Sequence, residues 1–276
     1  MRLEAIADPA DPRLRDYRDL RRPRAAGIFV VEGRPLVEVL LAAPRVRPRS
    51  VVTTPAALAA LRPALDGVAD LLVYVVSRPA IDALVGYPFH RGCLAVAERG
   101  APVRLEALLA ADGPVVALER VADPENVGGV VRNAAAFGAA GVLLGPGCAD
   151  PFARKALRVS TGAALVLPIV QVDDWSAALA RLAAARCTLV ALAPHASRSI
   201  ADLATAPPRR LALLLGTEWA GLGPAAQAAA TVTVRIPMAP GVDSLNVATA
   251  AAIALHRLAP EHGWQSRGGD GTTEGP

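Results

Sequence analysis

The sequence predicts an α/β fold built on a parallel sheet, and three observations support that prediction. Short apolar segments alternate with helical ones along most of the 276 residues, which is typical of layered α/β proteins. From residue 114 onward the strand segments are almost continuously apolar, as buried parallel strands are. Polar and glycine-rich segments follow three of those strands, where α/β sheets bind ligands.

The chain divides into four predicted parts. Residues 1–100 form a small α/β domain, 101–113 a linker with a short helix, 114–262 one parallel α/β domain, and 263–276 a polar, glycine-rich, disordered tail. Strands are predicted at 28–31, 50–53, 72–76, 92–97, 115–119, 142–144, 189–193, 211–215 and 232–236. Helices are predicted at 33–41, 79–85, 105–111, 126–137, 175–185 and 247–258.

Composition narrows the classes of protein. The net charge of +4 permits RNA binding, whereas an aromatic content of 4% leaves few rings for stacking bases. No uncharged apolar run reaches the ~18 residues that span a membrane. Three widely spaced cysteines match no metal motif and favour a reduced, cytoplasmic protein. Six arginines lie within residues 13–24, predicting a mixed-charge helix that is either a solvated face or an RNA patch.

The first polar segment follows the strand at 115–119. Asp123-Pro124 suits a turn, Asn126 suits a helix cap, and Gly128 allows close approach of a ligand or backbone. Arg132 lies six residues beyond Asn126, so the two share roughly one side of a helix. A capped helix with a surface arginine is the alternative interpretation.

The second segment, Gly216 to Gly223, follows the strand at 211–215 and places Glu218 between two glycines. The alternative is a turn before a helix that starts at Pro224. Residues 221–226 match the G-x-G-x-x-G/A dinucleotide fingerprint, but they do not begin at the strand end, so we interpret the match as accidental.

The third segment follows the strand at 232–236. A loop rich in proline and glycine leads to Ser244 and Asn246, either of which suits the start of an apolar helix. Each of these two residues could therefore be a local cap.

Together the three segments resemble the motifs of the SpoU (TrmH-like) family of RNA ribose methyltransferases. Residues 123–132 fit D-P-x-N-x-G-x-x-x-R, residues 216–222 fit G-x-E-x-x-G-L, and residues 236–250 fit I-P-M followed by S-L-N-V-x-x-A. Upstream, 29–34 and 90–92 are similar to the family's small substrate-binding domain, which resembles an RNA-binding ribosomal protein. Asn133 departs from the threonine usual after the motif-one arginine.

The resemblance implies a SPOUT fold whose parallel sheet ends in a C-terminal trefoil knot, a rare feature of proteins. It also implies a homodimer, an RNA substrate and S-adenosyl-L-methionine bound without a metal. Ribosomal RNA is the first expectation and transfer RNA the second. The residues implied for cofactor binding are Gly216, Ile236, Met238 and Leu245. Those implied around the reacting ribose are Asn126, Arg132, Glu218, Ser244 and Asn246.

Methyl transfer requires a ribose hydroxyl to be aligned with the methyl group and its developing negative charge to be stabilised. Because the free pKa of arginine exceeds ~12, Arg132 suits orientation and charge stabilisation better than proton abstraction, which stays a minority alternative. A catalytically silent RNA-binding relative and a nicotinamide-dependent enzyme are the rival hypotheses. His195 is expected to border the cofactor pocket, and the basic stretch at 154–158 to be either an RNA contact or a solvated face.

Overall fold

The structure is a computed structural model that describes residues 1–20, 25, 27–217 and 220–259. The chain forms two compact units. The N-terminal unit comprises Met1–Pro102 together with Asp150–Val166, and the C-terminal unit comprises Val103–Ala149 and the chain from Leu167 onward. The segment 150–166, predicted as part of the large domain, thus packs within the N-terminal unit. The predicted disordered tail lies outside the described residues.

Within the described ranges there are twelve strands and eleven α-helices, besides a 3₁₀ helix at Pro12–Tyr17. The strands are β1 (Arg2–Ala5), β2 (Ile28–Glu32), β3 (Val46–Thr53), β4 (Leu72–Val75), β5 (Cys93–Arg99), β6 (Val115–Leu118), β7 (Gly141–Leu144), β8 (Ile169–Gln171), β9 (Thr188–Leu192), β10 (Arg198–Ser199), β11 (Leu211–Leu215) and β12 (Val232–Arg235). The helices are α1 (Arg34–Ala42), α2 (Pro55–Asp66), α3 (Arg78–Val85), α4 (Leu105–Ala110), α5 (Pro124–Ala136), α6 (Arg154–Val159), α7 (Ala163–Val166), α8 (Trp175–Ala184), α9 (Ile200–Ala204), α10 (Pro224–Ala229) and α11 (Val247–Leu258).

The N-terminal unit is a mixed sheet with strand order β1-β4-β3-β5-β2. β4 runs parallel to β1 and β3, whereas β5 is antiparallel to β3 and β2. Two of its helices begin with a capping side chain and a proline in the first turn. Thr54 Oγ1 accepts a hydrogen bond from the Ala57 amide at the start of α2, and Ser77 Oγ accepts one from the Ala80 amide at the start of α3. The four strands predicted for this part of the chain are all present.

The mixed-charge helix predicted near the N-terminus is wrong for the residues described there. Residues 2–5 form an edge strand, β1, whose largely exposed side chains carry little apolar signal. The 3₁₀ helix that follows buries Leu14 and Tyr17, while Arg13 pairs with Asp11 and Glu4. The remaining arginines of this cluster, Arg21, Arg22 and Arg24, lie outside the described residues.

The C-terminal unit is a seven-stranded sheet of order β10-β12-β9-β11-β6-β7-β8, and every neighbouring pair is parallel. The predicted parallel sheet is therefore confirmed. β6 and β11 lie at its centre and are buried along their whole length, which explains their unbroken apolar sequence. The predicted linker contains α4, whose Leu105 and Leu108 join the core of this unit.

No helix within the described ranges combines the length and apolar character that crossing a bilayer requires.

Candidate active site

The three motifs meet at one edge of the seven-stranded sheet. β6, β11 and β12 belong to the same parallel sheet, so their carboxyl ends face the same edge. A cavity of about 820 Å³ lies there, bordered by the segments that follow β9, β11 and β12. This volume falls in the range of small-molecule and cofactor sites.

The predicted cofactor residues all line this cavity. They are Gly216, Ile236, Met238 and Leu245. Ser244, predicted near the reacting ribose, lines the same cavity, as does His195. Thr217, Gln227 and Asp243 add polar groups that the sequence motifs did not indicate.

Position 216 must be a glycine because another part of the backbone lies very close to it. A Cβ atom at this position would lie 2.2 Å from the carbonyl carbon and oxygen of Gly221, a distance that no side chain tolerates. Thr217 and Gly221 close the intervening loop, because the Gly221 amide donates to the Thr217 carbonyl at 2.9 Å. Glu218, predicted in the catalytic set, lies outside the described residues.

Asn126 and Asn246 are joined directly, although 120 residues separate them along the chain. Asn246 Nδ2 donates to Asn126 Oδ1 at 2.7 Å. Asn246 Oδ1 accepts from the amides of Ala248 and Thr249, so it also caps α11. The prediction that Asn126 caps α5 is wrong, since Asp123 accepts from the Glu125 amide at 2.8 Å and Pro124 takes the first helical position.

Arg132 lies on the exposed side of α5, two turns beyond the Asn126–Asn246 contact. The cavity is lined by other residues, so the structure places Arg132 on the helix that carries Asn126 but not in the cavity wall. An exposed guanidinium suits a group that meets a large polyanionic substrate from solvent.

Two residues that the sequence analysis did not select hold the site together. Asn133 Nδ2 donates to the Ala248 carbonyl at 2.7 Å, a second link between α5 and α11. Glu119, buried directly after β6, accepts a hydrogen bond from the Gly223 amide at 2.7 Å and so links the segment after β6 to the segment after β11. The departure from threonine at Asn133 and the lone acidic residue after an apolar strand were the available signals.

Burial raises the pKa of the Cys148 thiol, which bonds to the Leu118 carbonyl at 3.3 Å near the first motif. The described residues contain no group of three or more His, Cys, Asp or Glu side chains that could hold a metal ion.

S-adenosylmethionine fits the cavity on chemical grounds. Leu215, Ile236 and Leu245 provide apolar contact for an adenine ring. Gly216 also lines the cavity, and Thr217 and Asp243 offer polar partners.

This geometry defines a class of protein, an α/β enzyme with a nucleoside-sized site at the carboxyl edge of its parallel sheet. The SpoU rRNA Methylase family model matches residues 113–256. An uncharacterized tRNA/rRNA methyltransferase of Mycobacterium tuberculosis is 39% identical over 263 residues, which cover 92% of this chain and 91% of that protein. The chain therefore belongs to the SpoU rRNA methylase family.

Other relatives agree with that assignment. The 23S rRNA (guanosine-2'-O-)-methyltransferase RlmB of Acinetobacter baylyi is 32% identical, with 67% of this chain and 76% of that protein covered. The crystal structure of the SpoU methyltransferase AviRb from Streptomyces viridochromogenes has a TM-score of 0.76 at 26% identity, covering 89% of this chain and 95% of that one. AviRb has also been solved in complex with AdoMet, at 25% identity to this chain. The predicted RNA methyltransferase class and S-adenosylmethionine cofactor are confirmed.

Proposed function

We propose that this enzyme methylates a ribose 2'-hydroxyl of ribosomal RNA. The proposal depends on one observation, that the three motifs come together in the fold. Gly216, Ile236 and Leu245 line one cavity, and the hydrogen bond between Asn126 and Asn246 joins the two helices beside it. Relatives named as 23S rRNA 2'-O-methyltransferases support both the ribose hydroxyl and ribosomal RNA.

Bound in the cavity, S-adenosylmethionine would supply an electrophilic methyl group whose leaving group is neutral. Gly216, Ile236, Met238 and Leu245 would hold it, largely through backbone groups and apolar contact. The protein's remaining task is to align the hydroxyl nucleophile and to favour its ionisation.

Arg132 serves that task by donating to the hydroxyl oxygen and stabilising its alkoxide character. Asn126 orients the nucleotide beside it, and the bond from Asn246 Nδ2 fixes which way the Asn126 amide points. Ser244, in the cavity wall, completes the polar surroundings. Glu218 is assigned to holding Arg132 or a neighbouring polar group.

The proposal extends to the whole protein. Residues 1–100 bind the RNA substrate, residues 114–262 carry the catalytic site, and the chain works in the cytoplasm as a homodimer. A C-terminal trefoil knot belongs to the same proposal and is supported by the match of residues 113–256 to the SpoU rRNA Methylase family model. Exposed Val242 and Ile253, on the segment leading into α11 and on α11 itself, support an interface between two copies.

Transfer RNA is the second candidate substrate, since the name of the mycobacterial relative covers both RNAs. The silent-relative hypothesis is disfavoured by the intact motifs. The nicotinamide hypothesis is disfavoured because the Gly223 amide bonds to Glu119 at 2.7 Å instead of facing a ligand.

The test is transfer of labelled methyl from S-adenosylmethionine to separate ribosomal and transfer RNA pools. We expect label in ribosomal RNA, and loss of about 10²- to 10³-fold in kcat for Arg132→Ala. Label found only in transfer RNA would show that transfer RNA is the substrate in place of ribosomal RNA. No label in either pool, despite RNA binding, would favour the silent relative.

A further inference from the structure

A small cavity of about 200 Å³ in the N-terminal unit has four cations among its eight lining residues. Arg91 reaches it from the loop before β5, and α6 supplies Arg154, Lys155 and Arg158. Glu32, at the end of β2, is the one carboxylate among the described residues that line it. The cavity is thus a basic feature, and its residues lie outside the three methyltransferase motifs.

Glu32 and Arg154 neutralise each other inside this cavity. Arg154 Nε donates to Glu32 Oε1, while its two terminal nitrogens donate to the Leu20 carbonyl at 2.9 Å and the Tyr87 hydroxyl at 3.1 Å. Arg154 therefore has a structural role. The other three cations that line the cavity, Arg91, Lys155 and Arg158, are exposed at the surface.

The segment that carries α6 is held firmly in the N-terminal unit. The Phe152 ring lies 4.9 Å from that of Phe29 on β2, and Arg99 forms an ion pair with Asp150. At its far end Gly162 adopts φ +86° and packs so closely on Val39 of α1 that a Cβ would lie 2.9 Å away. These contacts fix the cations of α6 against β2 before any ligand arrives.

We propose that this cavity binds a backbone phosphate of the RNA substrate, an inference that rests on the proposed function. Its volume suits a phosphate group, and arginine forks together with a lysine ammonium are the usual partners of phosphate oxygens. Such a contact positions the RNA without reading its sequence. Residues 154–158 then act as a substrate-positioning surface that the order of the motifs alone does not reveal.

Lys155 allows a direct test, because it is the only lysine in the sequence. Acylation with an amine-selective reagent is followed by peptide mass spectrometry, with and without the RNA pool that accepts methyl groups. We expect bound RNA to slow acylation of Lys155 by about fivefold or more while the N-terminal amine, the internal reference, keeps its rate, since phosphate contact occupies the ammonium. Equal rates in the presence of bound RNA would overturn the proposal.

Matched variants provide a second measurement. Lys155→Gln and Arg158→Gln each remove a cation of the cavity, whereas Arg62→Gln removes an exposed arginine of α2 outside it. For the first two we expect RNA affinity to fall roughly 3- to 10-fold and the slope of log affinity against log salt to decrease by about 1. The KM for S-adenosylmethionine should stay unchanged. Slopes equal to that of Arg62→Gln would contradict the proposal.

The two proposals fail in different ways. If the wild-type chain methylates RNA but Lys155 is not protected, the phosphate site is wrong and the enzymatic function stands. If RNA protects Lys155 but receives no methyl group, the phosphate site stands and the enzymatic function is wrong.

Discussion

At the scale of single residues, the cofactor site depends on where a side chain is absent. Gly216 directly follows β11 and lies against the backbone of Gly221 and Leu222, so any Cβ would displace the loop that borders the cavity. Just beyond that loop, the Gly223 amide donates a hydrogen bond to Glu119. Both residues shape the site without being assigned a contact with the reacting atoms.

Gly216→Ala should therefore weaken cofactor binding more than it weakens the fold. The added methyl forces the 217–221 loop outward, at a cost of about 1–3 kcal/mol typical of overpacking. We expect the Kd for S-adenosylmethionine to rise by about tenfold or more, measured by calorimetric titration. Gly67→Ala is the control, since a Cβ at Gly67 meets only the Ala64 carbonyl at 3.6 Å. Equal affinities for the two variants would contradict this role.

The buried thiol of Cys93 leads to a prediction about how stability changes at alkaline pH. Burial raises the pKa of its thiol from 9.0 to about 12. A group whose pKa is raised in the folded state contributes stability below its unfolded pKa and loses it as pH rises toward the folded pKa. Between pH 8 and 10 this thiol ionises in the unfolded chain and stays protonated in the folded one. The free energy of unfolding of the wild type should therefore fall by about 1 kcal/mol over this range.

Cys93→Ala removes that contribution, so denaturant titrations at pH 8 and 10 should show a smaller loss of stability in the variant. Each protein is compared with itself at the two pH values. The cavity that the substitution creates lowers stability equally at both, so only the effect of ionisation remains in the difference. An identical pH dependence in both proteins would show that Cys93 does not ionise on unfolding in this range.

At the scale of elements, the α5–α11 pair joins a residue proposed to orient the substrate to residues proposed to hold the cofactor. Two amide side chains link the helices, at Asn126–Asn246 and at Asn133–Ala248. The edge-to-face contact of Phe137 with His256, with ring centroids 5.8 Å apart, closes the other end. The start of α11, and with it Leu245 in the cavity wall, is therefore positioned by α5.

Asn133→Ala should destabilise the C-terminal unit by about 1 kcal/mol, because the hydrogen bond from Asn133 Nδ2 to the Ala248 carbonyl is lost. We also expect a several-fold rise in KM for S-adenosylmethionine, since the helix start that presents Leu245 loosens. Chemical denaturation and initial-rate kinetics measure the two effects. Arg132→Ala, an exposed change on the same helix, should leave stability within about 0.5 kcal/mol. Equal stability of the two variants would contradict the bracing role of Asn133.

The elements also show how far sequence reasoning reaches. Buried parallel strands such as β6 and β11 are continuously apolar, so they could be predicted, and with them the edge where the motifs meet. β8 and β10, of three and two residues, are too short to carry such a pattern. The cap of α5 was misplaced because aspartate and asparagine both suit it, and Pro124 decides in favour of Asp123.

At the scale of the whole molecule, a segment of the chain leaves one unit for the other and returns. Residues 150–166 lie between β7 and β8 in sequence yet pack in the N-terminal unit. Contacts such as Phe29–Phe152 join positions far apart along the chain, so local patterns could not predict them. The link between Asn126 and Asn246 is of the same kind, whereas the cofactor residues could be named because the segments that contain them resemble the SpoU motifs.

The central claim, that Arg132 assists methyl transfer to a ribose 2'-oxygen, is tested most directly by locating the methyl group. RNA is treated with the enzyme and S-adenosylmethionine carrying a deuterated methyl, digested to nucleosides and analysed by mass spectrometry. The account predicts label in a 2'-O-methyl nucleoside of ribosomal RNA, reduced about 10²-fold or more in initial rate by Arg132→Ala. Label on a base, or an undiminished rate in the variant, would contradict it.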